Sequence, residues 1–237
     1  MSNKTYFNWS SGKDSALALY YLLQDSNYTI GKLVTSVNTH FNRVSMHGLP
    51  LNLLKAQTNA IGIPLQTIGL PEQPSMEDYE TIMTKVVSTL KAEGFTHSVF
   101  GDIFLEDLKR YRENNLAKFQ IKTIFPLWKK DTRDLINEFL DLGFKAVIVC
   151  ANAQYFSEDF VGQTITKELI ENLPKEVDVC GENGEFHTFC YDGPIFKRPV
   201  SFAIGEKVYR EYNSPKTDDA ICDSGKTGFW FCDLVLK

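Results

Sequence analysis

Apolar positions in the first half of the chain alternate between two spacings. Short β-prone runs such as Thr5-Tyr6-Phe7-Asn8-Trp9 give way to longer helix-forming runs such as Ala16 to Leu23. This alternation predicts strands at 5–9, 30–38, 64–69, 97–101 and 121–125. It predicts helices at 15–25, 50–61, 75–93, 105–118 and 131–142, with Gly62, Gly94 and Gly143 standing where three of them stop. Strand and helix exchanged at this spacing imply parallel strands joined by right-handed crossovers, hence an α/β fold with a doubly wound parallel sheet. In such sheets ligands bind beyond the carboxyl ends of the strands, and the loop after the first strand is one such place.

From about Pro126 the rhythm changes. A further helix and strand (131–142, then Ala146 to Cys150) lead to a helix near 163–173. After that the sequence is β-rich, with turns at Asn183-Gly184, Asp192-Gly193 and Asn213-Ser214-Pro215 and a last strand from Phe229 to Leu236. The expected division is a nucleotide-binding unit at 1–125 and a smaller α+β unit at 126–237 packed over the sheet edge. With 237 residues, 43% of them hydrophobic, both units can bury a core. A net charge of -5 argues against a nucleic-acid surface, and no apolar run has membrane-spanning length. Five cysteines, an odd number, without a secretory signal point to a reducing cytoplasm. Cys180/Cys190 and Cys222/Cys232 are each ten residues apart, wider than zinc-ribbon pairs, and read as core-facing cysteines of hairpin strands.

The first candidate chemistry lies in Ser10-Ser11-Gly12-Lys13-Asp14-Ser15, small and polar between strand and helix. Backbone amides there can approach an anion, and the helix start aims its positive dipole end at the same spot. A Walker A loop is excluded: Phe7 stands where its first glycine belongs, and Asp14 replaces the magnesium-binding hydroxyl. A Gly-x-Gly-x-x-Gly fingerprint is absent too, since no glycine other than Gly12 precedes Gly31. The segment resembles the SGGxDS loop of the ATP pyrophosphatases, with Ser11 in place of the first glycine, where a side chain crowds a backbone needing positive φ. Those enzymes cleave ATP between the α and β phosphates and transfer AMP to a substrate oxygen. On its own the segment also reads as an ordinary capped helix start.

The second is Asp178 to Phe189. Asn183-Gly184 flanked by β-prone residues signals a plain hairpin, yet Glu182, Asn183, Glu185 and His187 fall within six positions and could bind a cation or move a proton. Gly181-Glu182-Asn183-Gly184-Glu185-Phe186-His187-Thr188 resembles the signature of the diphthine–ammonia ligase family. Further stretches match in order: Gln57 to Leu65, Gly101-Asp102-Ile103, Tyr111-Arg112-Glu113, Pro126-Leu127-Trp128 and Asp192 to Phe196. The resemblance spans roughly residues 4 to 236.

It implies a Rossmann-like, HUP-type ATP pyrophosphatase domain and an ATP-dependent amidation. ATP adenylates an acceptor carboxylate, and ammonia then displaces AMP. Under that implication Ser10, Ser11, Gly12, Lys13, Asp14 and Ser15 grip the phosphates, with Lys13 and Asp14 catalytic and Asp14 placing Mg2+. Val37, Asn38, Gly101 and the Met46-His47 region border the nucleotide. Glu182 and Glu185 are catalytic on the acceptor side, where Gly181, Asn183, Gly184, His187 and Thr188 line the pocket with Arg112 and Glu113. The partners implied are ATP, ammonia and a carboxylate acceptor, on elongation factor two where diphthamide is made; a homodimer is the expected assembly. A different small-molecule or RNA acceptor, or an ATP-binding sensor without turnover, are the alternatives. Several residues have plainer readings: Lys13 as a solvated loop lysine, Asp14 as a helix cap, His47 as a turn residue. Arg112 and Glu113 also suit surface ion pairs on a helix.

Overall fold

Tyr6 and Phe7 are neighbours on the first strand, and both are buried, on opposite faces. A strand with two dry faces belongs in the middle of a parallel sheet covered on both sides, and the structure, a computed structural model, places it there. Residues 2–45, 47–213 and 226–237 are described. Met46, Ser214-Pro215 of the last predicted turn, and Cys222 lie outside them.

The chain runs β1 (Asn3–Asn8), α1 (Lys13–Gln24), β2 (Tyr28–Asn38), β3 (Arg43–Val44), α2 (Leu51–Ile61), β4 (Leu65–Leu70), α3 (Met76–Ala92), β5 (His97–Val99), α4 (Glu106–Ala117) and β6 (Lys122–Ile124). It continues through α5 (Thr132–Asp141), β7 (Lys145–Asn152), a 3-10 turn (Glu158–Phe160), α6 (Lys167–Glu171), β8 (Phe186–Asp192), β9 (Phe202–Asn213) and β10 (Lys226–Leu236). The predicted strands and helices through 142 all form, each within two residues of its predicted bounds. Several ends carry their own chemistry. A capping box of Ser75 with Asp78 starts α3, and the Asp131 carboxylate accepts from Arg133 N and Asp134 N to start α5.

Parallel strands β4, β2, β1, β5 and β6 lie side by side in that order. Short β3 turns back antiparallel along Val37 and Asn38 of β2. The strand order reverses between β1 and β5, so the crevice above their carboxyl ends is the site this topology offers. One face of the sheet holds Tyr6, Val34, Ile68, Leu90 and Phe100. The other holds Phe7, Leu19 and Leu33, and its core runs without a break into Val147, Ile148, Phe186 and Phe189 of the second sheet.

That second sheet is antiparallel, ordered β8-β7-β10-β9. Three expectations change here. The strand predicted at Ala146 to Cys150 forms as β7, but it pairs antiparallel with β8 and β10 instead of extending the parallel sheet. The helix predicted near 163–173 contracts to Lys167–Glu171. Asn183-Gly184 does not join two strands, because only the segment after it is extended. The reason is local: Asp178 Oδ1 accepts from Cys180 N (2.9 Å) and Glu182 N (3.2 Å), while Glu185 accepts from Asp178 N and Asn183 N (both 2.9 Å). Side-chain carboxylates have taken the amides a hairpin ladder would use. Asp192-Gly193 likewise ends β8 without folding it onto β9, whose partner is β10. Cys180 in the loop and Cys190 on β8 are both buried thiols.

Buried Glu185 thus holds the 178–185 loop together from inside. Glu185→Gln removes the charge from that acceptor and is expected to lower stability by about 1–3 kcal/mol in urea unfolding. A loss below about 0.5 kcal/mol would mean that the carboxylate does not hold the loop.

Candidate functional site

The loop between β1 and α1 sits at the mouth of the crevice with an unusual backbone. Ser11 is left-handed, at φ 74°, wholly buried, and its hydroxyl has no hydrogen-bond partner. A side chain therefore occupies a conformation that suits glycine, as the sequence led one to expect. Its carbonyl oxygen accepts from Cys190 N of β8 and from Gln57 Nε2 of α2, each at 2.9 Å. Gly12 follows, and there a Cβ would lie 3.2 Å from the Thr188 carbonyl oxygen, so glycine permits the close approach of β8. Helix α1 has no capping side chain from its own chain segment. Instead Lys13 N donates to Thr188 Oγ1 at 3.0 Å, a cap supplied by the second sheet. Ser10 Oγ and Ser15 Oγ lie 2.7 Å apart on the crevice side, and Gly12 N points at Ser10 Oγ from 3.3 Å. Opposite, a Cβ on Gly101 would meet Ser15 N at 3.2 Å, so glycine lets the β5 end close onto the helix start.

Lys13 is almost fully buried. Its ammonium donates to both Asp14 oxygens (2.8 and 2.7 Å) and to the Cys180 carbonyl across the crevice, which occupies all three of its N–H groups. It is neither a solvated loop lysine nor free to bond a phosphate in this arrangement. Burial, the largest single influence, pulls the Lys13 ammonium down, but Asp14, Cys180 and Glu182 together leave it raised. Burial raises the Asp14 carboxyl against the pull of Lys13. Asp102, after β5, is raised by burial too, with Asp14 adding to the shift, and Arg112 answers it with an ion pair. The Arg112 guanidinium also lies 4.2 Å over the Phe100 ring.

Glu182 reaches across from the second sheet's loop and accepts from Ile103 N at 2.7 Å. Burial, with Asp14 and Asp102 nearby, lifts its carboxyl to about 7, although the Ile103 hydrogen bond opposes the shift. Among the described residues no three carboxylate, imidazole or thiol groups converge on one point as metal ligands. A magnesium ion that arrives on ATP phosphates needs only one or two protein carboxylates. Asp14, with a side chain 30% exposed and lining the crevice, fits that need.

The crevice also gathers residues far apart in sequence. His47 and His187 stack at 4.6 Å with their planes 17° apart. Burial, reinforced by Lys13, holds both below the usual imidazole range, His187 at about 4, so both are neutral at pH 7. Asn38, Gly101, Arg112, Gly181, Asn183, Gly184 and Thr188 line the same space of about 2300 Å³. That exceeds the ~300–1,000 Å³ of ordinary small-molecule pockets and leaves room for a nucleotide and a second reactant. Four expected site residues do not line it, the first being Ser11, which is wholly buried. Val37 is buried in the core, Glu185 is turned into its own loop, and Glu113 pairs outward with Lys109 at 3.3 Å. Asp102, paired with Arg112 at the crevice, and Gln57, bonded to the Ser11 carbonyl, were not among the residues expected at the site. Both sit inside matched stretches, but only the folded contacts mark them out.

Comparison with known proteins places the chain in a family. Residues 3–122 match the family described as diphthamide synthase N-terminal domain, and residues 131–216 match the diphthamide synthase C-terminal domain. A diphthine–ammonia ligase from Danio rerio is 26% identical over 183 residues, covering 70% of this chain and 69% of that protein. The one from Homo sapiens is 30% identical over 143 residues, covering 58% of this chain, so that the match spans about half (52%) of the human protein's length. Among solved structures, a U34-tRNA thiolase from Methanococcus maripaludis aligns at a TM-score of 0.38 with 18% identity, over 60% of this chain and 58% of that one. With both halves matched in order, the chain belongs to the diphthamide synthase family.

Proposed function

We propose that this chain is an ATP-dependent ligase that adenylates an acceptor carboxylate and converts it to an amide with ammonia; the name of its relatives, diphthine–ammonia ligase, supports the joining to ammonia. The carrying observation is the serine-lined helix start of α1 facing Glu182 across one crevice. In this reading residues 1–125 hold the nucleotide and 126–237 present the acceptor, which is diphthine on elongation factor two.

An acceptor oxygen attacks the α-phosphorus, and the bond to the β-phosphate oxygen breaks to release pyrophosphate. Gly12 N–H and the Ser10 and Ser15 hydroxyls stabilise the charge that builds on the departing group. Asp14 would hold a magnesium ion carried in on the phosphates, which would supply charge neutralisation there. Lys13 acts through Asp14, holding that carboxylate in place. Ammonia then attacks the acyl carbon, AMP leaves, and Glu182 takes the proton that the nitrogen loses. The two uncharged imidazoles add no cation to the acceptor side beyond Arg112, which Asp102 pairs.

Wild-type protein given magnesium, ATP, ammonium and the acceptor is expected to yield AMP and pyrophosphate with the amide. ADP and phosphate, or ATP bound and unchanged, would refute the reading. Asp14→Asn is expected to lower turnover at least about 100-fold, measured as pyrophosphate release.

The pH dependence follows from Glu182. As a base it works only when ionised, so the amide-forming rate is expected to rise with pH through about 7, and Glu182→Gln should flatten that limb. Stability runs the opposite way. A carboxyl raised on folding binds its proton more tightly in the native state. Its favourable contribution is therefore complete below the unfolded value of 4.5 and lost as pH rises through about 7. A pH–rate profile that keeps its limb in Glu182→Gln would remove Glu182 from the proton transfer.

A further inference from the structure

Gln57 is wholly buried on α2 and does not line the crevice, yet each hydrogen-bonding function of its amide is used. Oε1 accepts from Trp9 Nε1 at 2.8 Å. Nε2 donates to the Ser11 carbonyl at 2.9 Å and to the Cys190 carbonyl at 2.6 Å. The indole can only donate and the carbonyls can only accept, so the amide has a single orientation that satisfies all three.

We infer that Gln57 is a positioning residue for the phosphate loop, acting by fixing the plane of the Ser11–Gly12 peptide. The Ser11 carbonyl and the Gly12 N–H belong to one planar trans unit, so they point in opposite directions. Holding the carbonyl inward on Gln57 and Cys190 N turns the Gly12 N–H outward, toward Ser10 Oγ and the crevice. Ser11 at φ 74° has an intrinsic reason to leave this conformation, and its own hydroxyl makes no bond that would keep it there. The restraint must come from outside the loop, and Gln57 and the β8 edge supply it. Trp9 lies two residues before Ser11, so Gln57 grips the loop on both sides of Ser10. It grips β8 as well, at Cys190, two positions from the Thr188 that caps α1.

The inference rests on the reading of this loop as the phosphate site, and the test separates the two. Binding of ATP and of adenosine is measured by calorimetry for wild type, Gln57→Met, Gln57→Glu and Trp9→Phe. Gln57→Met keeps the volume and removes the donors. Gln57→Glu keeps the acceptor for Trp9 but turns carboxylate oxygens on two carbonyls. Both are expected to weaken ATP binding at least about tenfold while adenosine, which has no phosphates, stays within about twofold. Trp9→Phe frees only one side of the amide and is expected to show a smaller loss with the same preference for ATP. Equal losses for ATP and adenosine, or no loss for ATP, would overturn the inference and leave the phosphate-site reading standing. Wild-type protein that binds ATP no more tightly than adenosine would overturn both.

Discussion

The buried grip on the Ser11 carbonyl is the contact on which the rest of the molecule depends. β8 is the edge strand of its sheet, and an edge must be covered or it pairs with something else. Here the loop between β1 and α1 covers part of it: Cys190 gives its N–H to Ser11 and its carbonyl to Gln57, while Thr188 caps α1. The same bonds satisfy a strand edge, restrain a strained loop and join two sheets. The continuous core behind them, from Phe7 through Phe189, makes this join a packed interior, not a flexible seam.

Charge in the crevice follows from that join. Bringing the second sheet so close buries Lys13 and partly buries Asp14, Asp102 and Glu182, which water would otherwise stabilise. Burial alone would neutralise such groups, so each is answered by a partner: Asp14 by Lys13, Asp102 by Arg112, Glu182 by the Ile103 amide. Glu182 is answered by neutral N–H groups, Ile103 and, at 3.4 Å, Phe104, and burial lifts its carboxyl to about 7. A group left near neutrality by its surroundings is suited to exchanging protons, whereas the two better-paired carboxylates are suited to holding geometry. His47 and His187 complete the pattern: stacked and kept uncharged, they give the crevice a polar wall that carries no charge at pH 7.

The two halves contribute different kinds of chemistry. The parallel sheet contributes backbone and hydroxyl groups at a helix start, the kind of arrangement that suits an anion. The antiparallel sheet contributes titratable side chains on a loop that Asp178 and Glu185 hold in shape. Neither half holds a complete site. The crevice arises where the parallel order reverses beside β1, and the second sheet closes it.

The sequence by itself determined whatever repeats or is local. The alternating apolar spacings located every element of the parallel sheet, because burial on one face of a helix or two faces of a strand writes a period into the chain. The Ser10–Ser15 loop was legible because strand, small residues and helix start are contiguous, and the 181–188 segment because its acidic and polar residues are. What only the tertiary structure decided lies between segments. The 178–185 loop is no hairpin because its own carboxylates win the amides, a competition that turn propensity does not register. Glu185 and Glu113 turn from the crevice onto near neighbours, Asp178, Asn183 and Lys109, and Lys13 divides its donors between adjacent Asp14 and Cys180, which only folding brings to it. Gln57 and the His47–His187 stack had no local signal at all, since a buried amide or a neutral imidazole acquires its role only from what folding places against it.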